Sequence, residues 1–373
     1  MWLHRAVHLL GPGASAMQRL EAVASSPPKK KPRTAKPAAT VSIAQTPSSS
    51  RTDADRILYQ YPTLVPARLL RRYKRFLADV VLAKAGDEDT DDCSSVDESQ
   101  AITIYCPNTG PMVGLLDEPN ARVQLSKSDD PKRKYAYTLE MVRVHNGERH
   151  VWVGVHSTSA NYMVEKAIVS GWFTPLLGAF HVLQREVSFA KNSRVDFVLS
   201  RHDGDGNVVH QKYVEVKSVT LAWPAADVSR CAVFPDTVSD RAAKHVTELM
   251  ELIESRKRAA EDKPAATKRV ELSGAIVFLV QRDDCESFMP SLIHDAKFAR
   301  LCAEAEAMGI QLLPYLCRLE PDEHGQRGHV RLLHALSLHA DRTKATPEAG
   351  GGAKKPSVSI KTKKAASSKK TKK

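Results

Sequence analysis

Apolar and polar residues alternate in short runs through the first half of the chain. The runs are Leu69–Leu82, Ala101–Tyr105, Arg122–Ser126, Tyr135–His145 and Arg149–Val155. Side chains on an extended strand point to opposite faces in turn, so runs of this length and alternation predict strands. Five strands with little helix between them predict a small barrel. The periodicity changes at Ser157. Ser157–Ser170 has helical spacing, with Ser157 or Ser159 as its N-cap. Strands are expected at Val182–Phe189, Arg194–Ser200 and Lys212–Val219, the last two joined by a turn at His202–Asn207. A long helix over Val238–Arg258, a strand at Ala275–Gln281, a helix at His294–Met308 and a strand at Gln311–Arg318 follow. Helices alternating with strands in this order predict an α/β (α+β) domain with a mixed sheet flanked by helices.

Charge divides the chain differently. The 373 residues carry 55 Lys and Arg against 43 Asp and Glu, a formal net charge of +12. Residues 1–51 hold eight basic residues and one acid, and residues 343–373 hold ten and one. The stretch 52–342 comes to −4, so a globally basic domain is excluded. The predicted organisation is a disordered basic arm over 1–60, a five-stranded barrel over 64–143, an α/β domain over 144–340 and a disordered Lys-rich tail over 341–373. Residues 86–99, with seven acids, read as a surface insertion in the barrel, and 259–271 as a second loop. Met1–Ser26 is amphipathic and acid-poor, as a mitochondrial import segment is, whereas Lys29–Arg33 reads as a nuclear-import block. A mitochondrial or nuclear destination is therefore expected. No uncharged apolar run of about 18 residues predicts a membrane-spanning helix. Six cysteines without a CxxC spacing argue against zinc. Asp203, Asp205 and Asn207 imitate the start of a calcium loop, but Val208 and Val214 stand where Gly and Glu are needed.

The candidate chemistry centres on Val214-Glu215-Val216-Lys217. On a strand, Glu215 and Lys217 share one face, and the two valines share the other. Asp196, between Val195 and Phe197 on the preceding strand, adds a second carboxylate. Two carboxylates and an amine form an oxygen-ligand site for Mg²⁺ or Mn²⁺, in which Asp196, Glu215 and the carbonyl of Val216 hold the ion. Lys217 would orient the attacking water or stabilise charge on the phosphate. Glu165 and Glu186 are candidates for a further contact with metal or water. The alternative is a cross-strand salt bridge, with Asp196 and Glu215 pairing with Arg194 and Lys217.

Candidate nucleic-acid contacts are spread more widely. If Arg71–Phe76 is strand, Arg71, Tyr73 and Arg75 form one face and Arg72, Lys74 and Phe76 the other. Cations for the backbone and a ring for a base suit an OB-type surface. The alternative makes Phe76 and Leu77 core residues, with the cations solvated around them. Lys132, Arg133 and Lys134 form a second basic cluster. Asn108 and Thr109 in a Cys-Pro-Asn-Thr-Gly turn, Arg194, and Lys244 with His245 on the long helix complete the set. His245, alone on a helix, has a structural reading beside the functional one.

Several of these blocks resemble the sugar fermentation stimulation protein A family. They are Arg72–Val80, Cys106–Gly110, Lys132–Tyr135, Ser193–Phe197, Val214–Thr220, Phe234–Asp236 and Lys244-His245, in family order across about residues 64–338. The resemblance implies a five-stranded OB-fold barrel, then a domain of the PD-(D/E)XK nuclease superfamily, and DNA binding. The superfamily's acid and E-x-K positions fall on Asp196, Glu215 and Lys217, and Glu165 matches its first-helix acid in placement. The chain departs from the family pattern in the two loops and at Ala243, where Gly is usual. The expected function is metal-dependent hydrolysis of DNA phosphodiesters, with single-stranded or branched DNA among the substrates. A non-catalytic DNA-binding regulator is the alternative, and a homodimer is left open.

Overall fold

The computed structural model describes residues 40–43, 52–61, 63–83, 96–190, 193–224, 230–261, 269–322 and 326–339. The two import-type segments, the Lys-rich tail and most of the acidic insertion lie outside them.

Two short strands come first, β1 (Thr40–Ser42) and β2 (Ile57–Tyr61). The barrel follows with β3 (Leu64–Tyr73), β4 (Leu77–Leu82), β5 (Ile102–Tyr105), β6 (Ala121–Lys127), β7 (Tyr137–His145) and β8 (His150–Gly154). Strands β5-β4-β3-β6-β7 form the expected five-stranded ring, closed by one parallel bridge from Tyr105 to Thr138. Alternate residues fill it, among them Ala67, Leu69, Val80, Ile104, Val123 and Leu125. Strand β8 pairs along the outside of β7, so the barrel sheet runs to Gly154 and the expected boundary at 143 falls inside β7. The expected strand Leu69–Leu82 is in fact two strands. It folds back at Lys74-Arg75-Phe76, where Lys74 (φ 48°) and Arg75 (φ 64°) take left-handed backbone conformations. That turn contains none of the Gly, Asn or Pro residues that announce a hairpin in sequence.

The second half supplies α1 (Ser159–Val169), α2 (Thr174–Leu177), β9 (Val182–Ala190), β10 (Ser193–His202), β11 (Val208–Val219), β12 (Leu221–Trp223) and β13 (Cys231–Phe234). It ends with α3 (Asp240–Glu261), β14 (Glu271–Val280), β15 (Ser287–Pro290), α4 (Leu292–Ala307), β16 (Gln311–Pro321), β17 (Gly328–Ala335) and β18 (Ser337–Leu338). Helix α1 takes Thr158 as its N-cap, between the two expected serines. Helix α3 runs to Glu261, which shortens the expected loop 259–271 from both sides.

The central sheet has eight strands in the order β1-β9-β10-β11-β14-β16-β17-β2. Strands β11, β14 and β16 are parallel and their neighbours antiparallel, the mixed sheet that was expected. Met163, Val164, Val214 and Val216 pack on the α1 side, and Val246, Leu249, Phe278 and Phe298 pack on the side of α3 and α4. A second sheet, β12-β13-β15-β18, was not anticipated, because strands of two to four residues are too short to show a period. Strands β1 and β2 also belong to the central sheet, although β1 and all but the last residue of β2 fall in the range 1–60 expected to be an arm. Leu58 and Tyr61 of β2 are buried in its core. The chain thus lays down both edge strands of the α/β sheet, builds the barrel, and returns to fill in the strands between them. No helix among the described residues is long and apolar enough to cross a membrane.

Candidate active site

A cleft of about 1160 Å³ lies where the barrel meets the α/β domain. Its floor is made by β10 and β11. These strands are laddered from His202–Val208 to Phe197–Val214, where the pairing stops. One step further the strands have parted, and the Val216 N–H donates to Asp196 Oδ2 at 2.7 Å instead of to backbone. The other carboxylate oxygen accepts from Asn161 Nδ2 at 2.7 Å. The end of the ladder therefore fixes Asp196 by two hydrogen bonds at the point where a cleft opens between strands.

Strand alternation works as expected on β11. Val214 and Val216 enter the core on the α1 side, while Glu215 and Lys217 face α3, 5% and 9% exposed. Glu215 Oε1 accepts from Lys217 Nζ at 2.7 Å and lies 2.5 Å from His245 Nδ1 on α3. The electrostatics push the two carboxyls apart. Burial raises Asp196 to about 6, helped by the neighbouring Glu215 charge and opposed by the Val216 N–H, Lys217 and Asn161. Burial also works to raise Glu215, but Lys217 and His245 overcome it and hold that carboxyl below its ordinary value. Glu215 is thus the more acidic partner and Asp196 the less acidic one.

The remaining acids are less central. Glu165 on α1 is buried and accepts from Arg185, with Nε at 2.8 Å. Glu186 is exposed at the rim with a left-handed backbone (φ 52°), and it pairs with Arg194 at 3.6 Å. Both line the cleft. The simple salt-bridge alternative is therefore half realised: Lys217 does pair with Glu215, whereas Arg194 goes to Glu186 and Asp196 is held by an amide and a backbone N–H. Among the described residues no group of three or more His, Cys, Asp and Glu side chains is placed to hold a metal ion. The oxygen donors brought together are the carboxylates of Asp196 and Glu215 beside the backbone of Val216.

The barrel contributes one wall. Arg75, Asn108 and Thr109 line the cleft, as do Arg194, Lys244 and His245 from the α/β domain. Asn108 Oδ1 accepts the Gly110 N–H at 2.9 Å and closes its own turn. Lys244 is exposed and pairs with Glu248 at 3.6 Å. The other predicted contacts lie elsewhere. Arg71 is bonded to Asp79 at 2.8 Å, and Tyr73 donates to the same carboxylate at 2.9 Å. Arg72 donates to the Asn108 carbonyl at 2.6 Å and to the Arg75 carbonyl, tying the hairpin tip to the Cys106–Gly110 turn. Lys74 lies in the tip, exposed and off the cleft. Lys132, Arg133 and Lys134 are exposed between β6 and β7, outside the cleft lining.

Two site residues were missed in the sequence. Asn161 stands one helical turn before Glu165, and that i, i+4 spacing is the signal that could have found it. Asp236 accepts the Met112 N–H at 3.0 Å, and its carboxylate lies so close to Gly110 that a Cβ there would meet it at 3.0 Å. It thereby pins the barrel's turn against the α/β domain.

Comparison with known proteins places this geometry in context. A family model described as the SfsA N-terminal OB domain matches residues 70–155, and one described as the sugar fermentation stimulation protein RE domain matches 158–261 and 265–323. A sugar fermentation stimulation protein homolog of Rippkaea orientalis is 36% identical over 77% of this chain and 98% of its own length. The homolog of Desulfotalea psychrophila is 38% identical over 68% of this chain and 87% of its own. The structure of Pyrococcus furiosus SfsA in complex with Ca²⁺ superposes with a TM-score of 0.55 at 20% identity, over 76% of this chain and 99% of that one, a likeness of fold. These relatives correct one expectation. The curated homologs are bacterial proteins, from cells with neither mitochondria nor a nucleus, which overturns the mitochondrial or nuclear destination.

Proposed function

The chain belongs to the sugar fermentation stimulation protein family, and from that premise we propose that it binds DNA and hydrolyses its phosphodiester bonds with the help of Mg²⁺ or Mn²⁺. The observation that carries the reading is the trio Asp196, Glu215 and Lys217, gathered at the floor of a cleft walled by an OB barrel.

The donor set fits a hard divalent cation. Burial, and after it the neighbouring Glu215 charge, raises the cost of ionising Asp196 and lifts its pKa to about 6, a cost that a bound cation would relieve. Oxygen donors without thiols or paired histidines favour Mg²⁺ or Mn²⁺ over zinc. The relative from Pyrococcus furiosus is described in complex with Ca²⁺, another oxygen-seeking ion, which supports the same kind of site. Asp196, Glu215 and the carbonyl of Val216 would hold the ion. When bound, it supplies Lewis acidity toward the scissile phosphate and a more acidic water.

The rest falls to the chain's own side chains. His245 and Lys217 fix Glu215 in one rotamer, and Asn161 does the same for Asp196. The Lys217 ammonium, which lines the cleft, would offset negative charge building up on a bound phosphate. Arg75, Arg194 and Lys244 on the walls attract the backbone, and Asn108 and Thr109 offer it donors.

One observation favours a second reading. Glu215 is already engaged by two partners and, among the described residues, no third acid joins the pair as a metal-holding group, an arrangement that also serves a non-catalytic DNA-binding regulator. The test is incubation of the purified chain with single-stranded, duplex and branched DNA, in Mg²⁺, Mn²⁺ or chelator, beside Glu215→Gln and Lys217→Ala. Metal-dependent cleavage lost in both variants is the expected result. Binding without cleavage of any substrate by the wild type would leave the regulator standing and the nuclease rejected.

A further inference from the structure

The barrel presents aromatic rings near the cleft, and the structure treats them unequally. Tyr73 is committed: its hydroxyl is bonded to Asp79, and the Arg71 guanidinium lies 5.3 Å from its ring centroid. Phe76, which the alternative reading placed in the core with Leu77, is 48% exposed at the tip of the β3–β4 hairpin. Leu77 is buried.

That tip is built against its local preferences. Lys74 and Arg75 carry left-handed φ values in succession, 48° and 64°, which side chains with a Cβ rarely adopt. Such a conformation persists only where surrounding structure enforces it, and strain of this kind gathers at binding sites. Here the enforcement is visible. Arg72 donates to the carbonyls of Arg75 and Asn108, and the Cys106 N–H donates to the Phe76 carbonyl at 2.9 Å. The tip is thus stapled to the Cys106–Gly110 turn, with Arg75 in the cleft wall and Phe76 next to it. Beyond Phe76 comes Tyr105, opposite Leu77 in the β4–β5 ladder and 36% exposed.

We propose that Phe76 is a stacking platform for an unpaired nucleobase of the strand that leaves the cleft past Arg75. The inference rests on the DNA reading above and narrows its substrate class to single-stranded or branched nucleic acid. The charges match such a ligand, because Lys74 and Arg75, exposed and next to Phe76 in the same hairpin tip, offer cations for the phosphates of a strand whose base stacks there. A continuous duplex does not suit the site, because its bases already stack on one another and offer no free face without unstacking.

The test uses the full chain carrying Glu215→Gln, so that substrates survive, in Mg²⁺ buffer. Affinity is measured for a single-stranded oligonucleotide containing 2-aminopurine, a forked duplex with one unpaired arm, and a blunt duplex. Phe76→Ala is expected to lose about ten- to a hundredfold in affinity for the first two. It should also abolish the change in 2-aminopurine emission and leave the blunt duplex unaffected. Phe76→Trp should retain both affinity and emission change. Because the side chain is exposed, the circular dichroism of both variants should match the parent. Equal affinity of parent and Phe76→Ala, an equal loss on all three DNAs, or a change only in oligomeric state by sedimentation would overturn the stacking role while DNA binding stands. Absence of binding to any DNA by the parent would overturn the DNA reading itself.

Discussion

The strand pair β10–β11 and the hairpin β3–β4 both deliver charged side chains to one cleft, by opposite physical means. On the strand pair the central charges are withdrawn from solvent and partnered, half-buried Asp196 with Asn161 and the Val216 N–H and buried Glu215 with Lys217 and His245, while Arg194 stays exposed at the rim. On the hairpin they are exposed, and what fixes them is the backbone, bent at Lys74 and Arg75 and held by Arg72. Buried charges in a low-dielectric site interact strongly and are costly to leave unpaired, whereas exposed ones are screened and matter mainly for encounter and affinity. In the proposed nuclease the cleft would divide its work, with chemistry on the sheet and grip on the barrel, and substitutions on the two sides should produce different kinds of loss.

The largest effects should come from the sheet. Glu215→Ala strands Lys217, whose side chain is 10% exposed, as a buried cation without its carboxylate. Breaking one side of a buried pair costs about 3–5 kcal/mol, so a large fall in urea-unfolding stability is expected, with Glu215→Gln milder. Lys217→Ala should lower the rate of metal-dependent cleavage by about 10²–10³-fold while DNA affinity changes little, as loss of a positioned charge-stabilising donor does. Single-turnover kinetics beside a binding isotherm separates the two quantities. A Lys217→Ala enzyme that cleaves normally but binds weakly would reverse the assignment of chemistry and grip.

A further effect follows from Asp196. Its folded pKa of about 6 lies above the ordinary 3.8, so the metal-free folded state binds a proton more tightly than the unfolded chain. Stability from this group is fully present below about 4 and is lost as pH rises through about 6, by about 3 kcal/mol in all. Unfolding in chelator across that window should show the decline, and Asp196→Asn should flatten it. Added Mg²⁺ should restore stability above pH 6, where the carboxylate is ionised and can ligate.

Legibility in the sequence follows the same division. Asp196, Glu215 and Lys217 could be read because strand alternation is a local rule, and an acid or amine on a strand betrays its face within two residues. His245 could be placed near the site but not given its partner, and Asn161 was not found. Their contacts span 30 and 35 positions and depend on how α3 and α1 pack on the sheet. The barrel ring and mixed sheet were legible through their longer strands. The edge strand β2 was hidden in a basic, Ser- and Pro-rich region, because its burial is decided by β17 more than two hundred residues later. The hairpin was misread as one strand for the converse reason. Lys74-Arg75-Phe76 has no turn chemistry of its own, and only the tertiary bonds from Arg72 and Cys106 make the reversal stable.

The smallest expected effect tests the barrel side at a residue that lines the shared cleft. Arg75 lines the cleft, and it acts, if the division holds, as a screened charge near a phosphate. Removing it releases about one fewer counterion on binding, so the slope of log affinity against log salt for single-stranded DNA should fall by about 0.7 in Arg75→Ala. The loss should be the same for all base sequences, with the cleavage rate at saturating DNA unchanged. Lys134→Ala, exposed but outside the cleft, provides the comparison: a ligand that ends at the cleft mouth leaves its slope unaltered, whereas one that continues past Phe76 and Tyr105 toward Arg133, which donates to Thr138 beside Tyr105, lowers it by a similar amount. Oligonucleotides of increasing length then locate the path, because the Lys134 effect should emerge only once the strand is long enough to leave the cleft and cross the β4–β5 face.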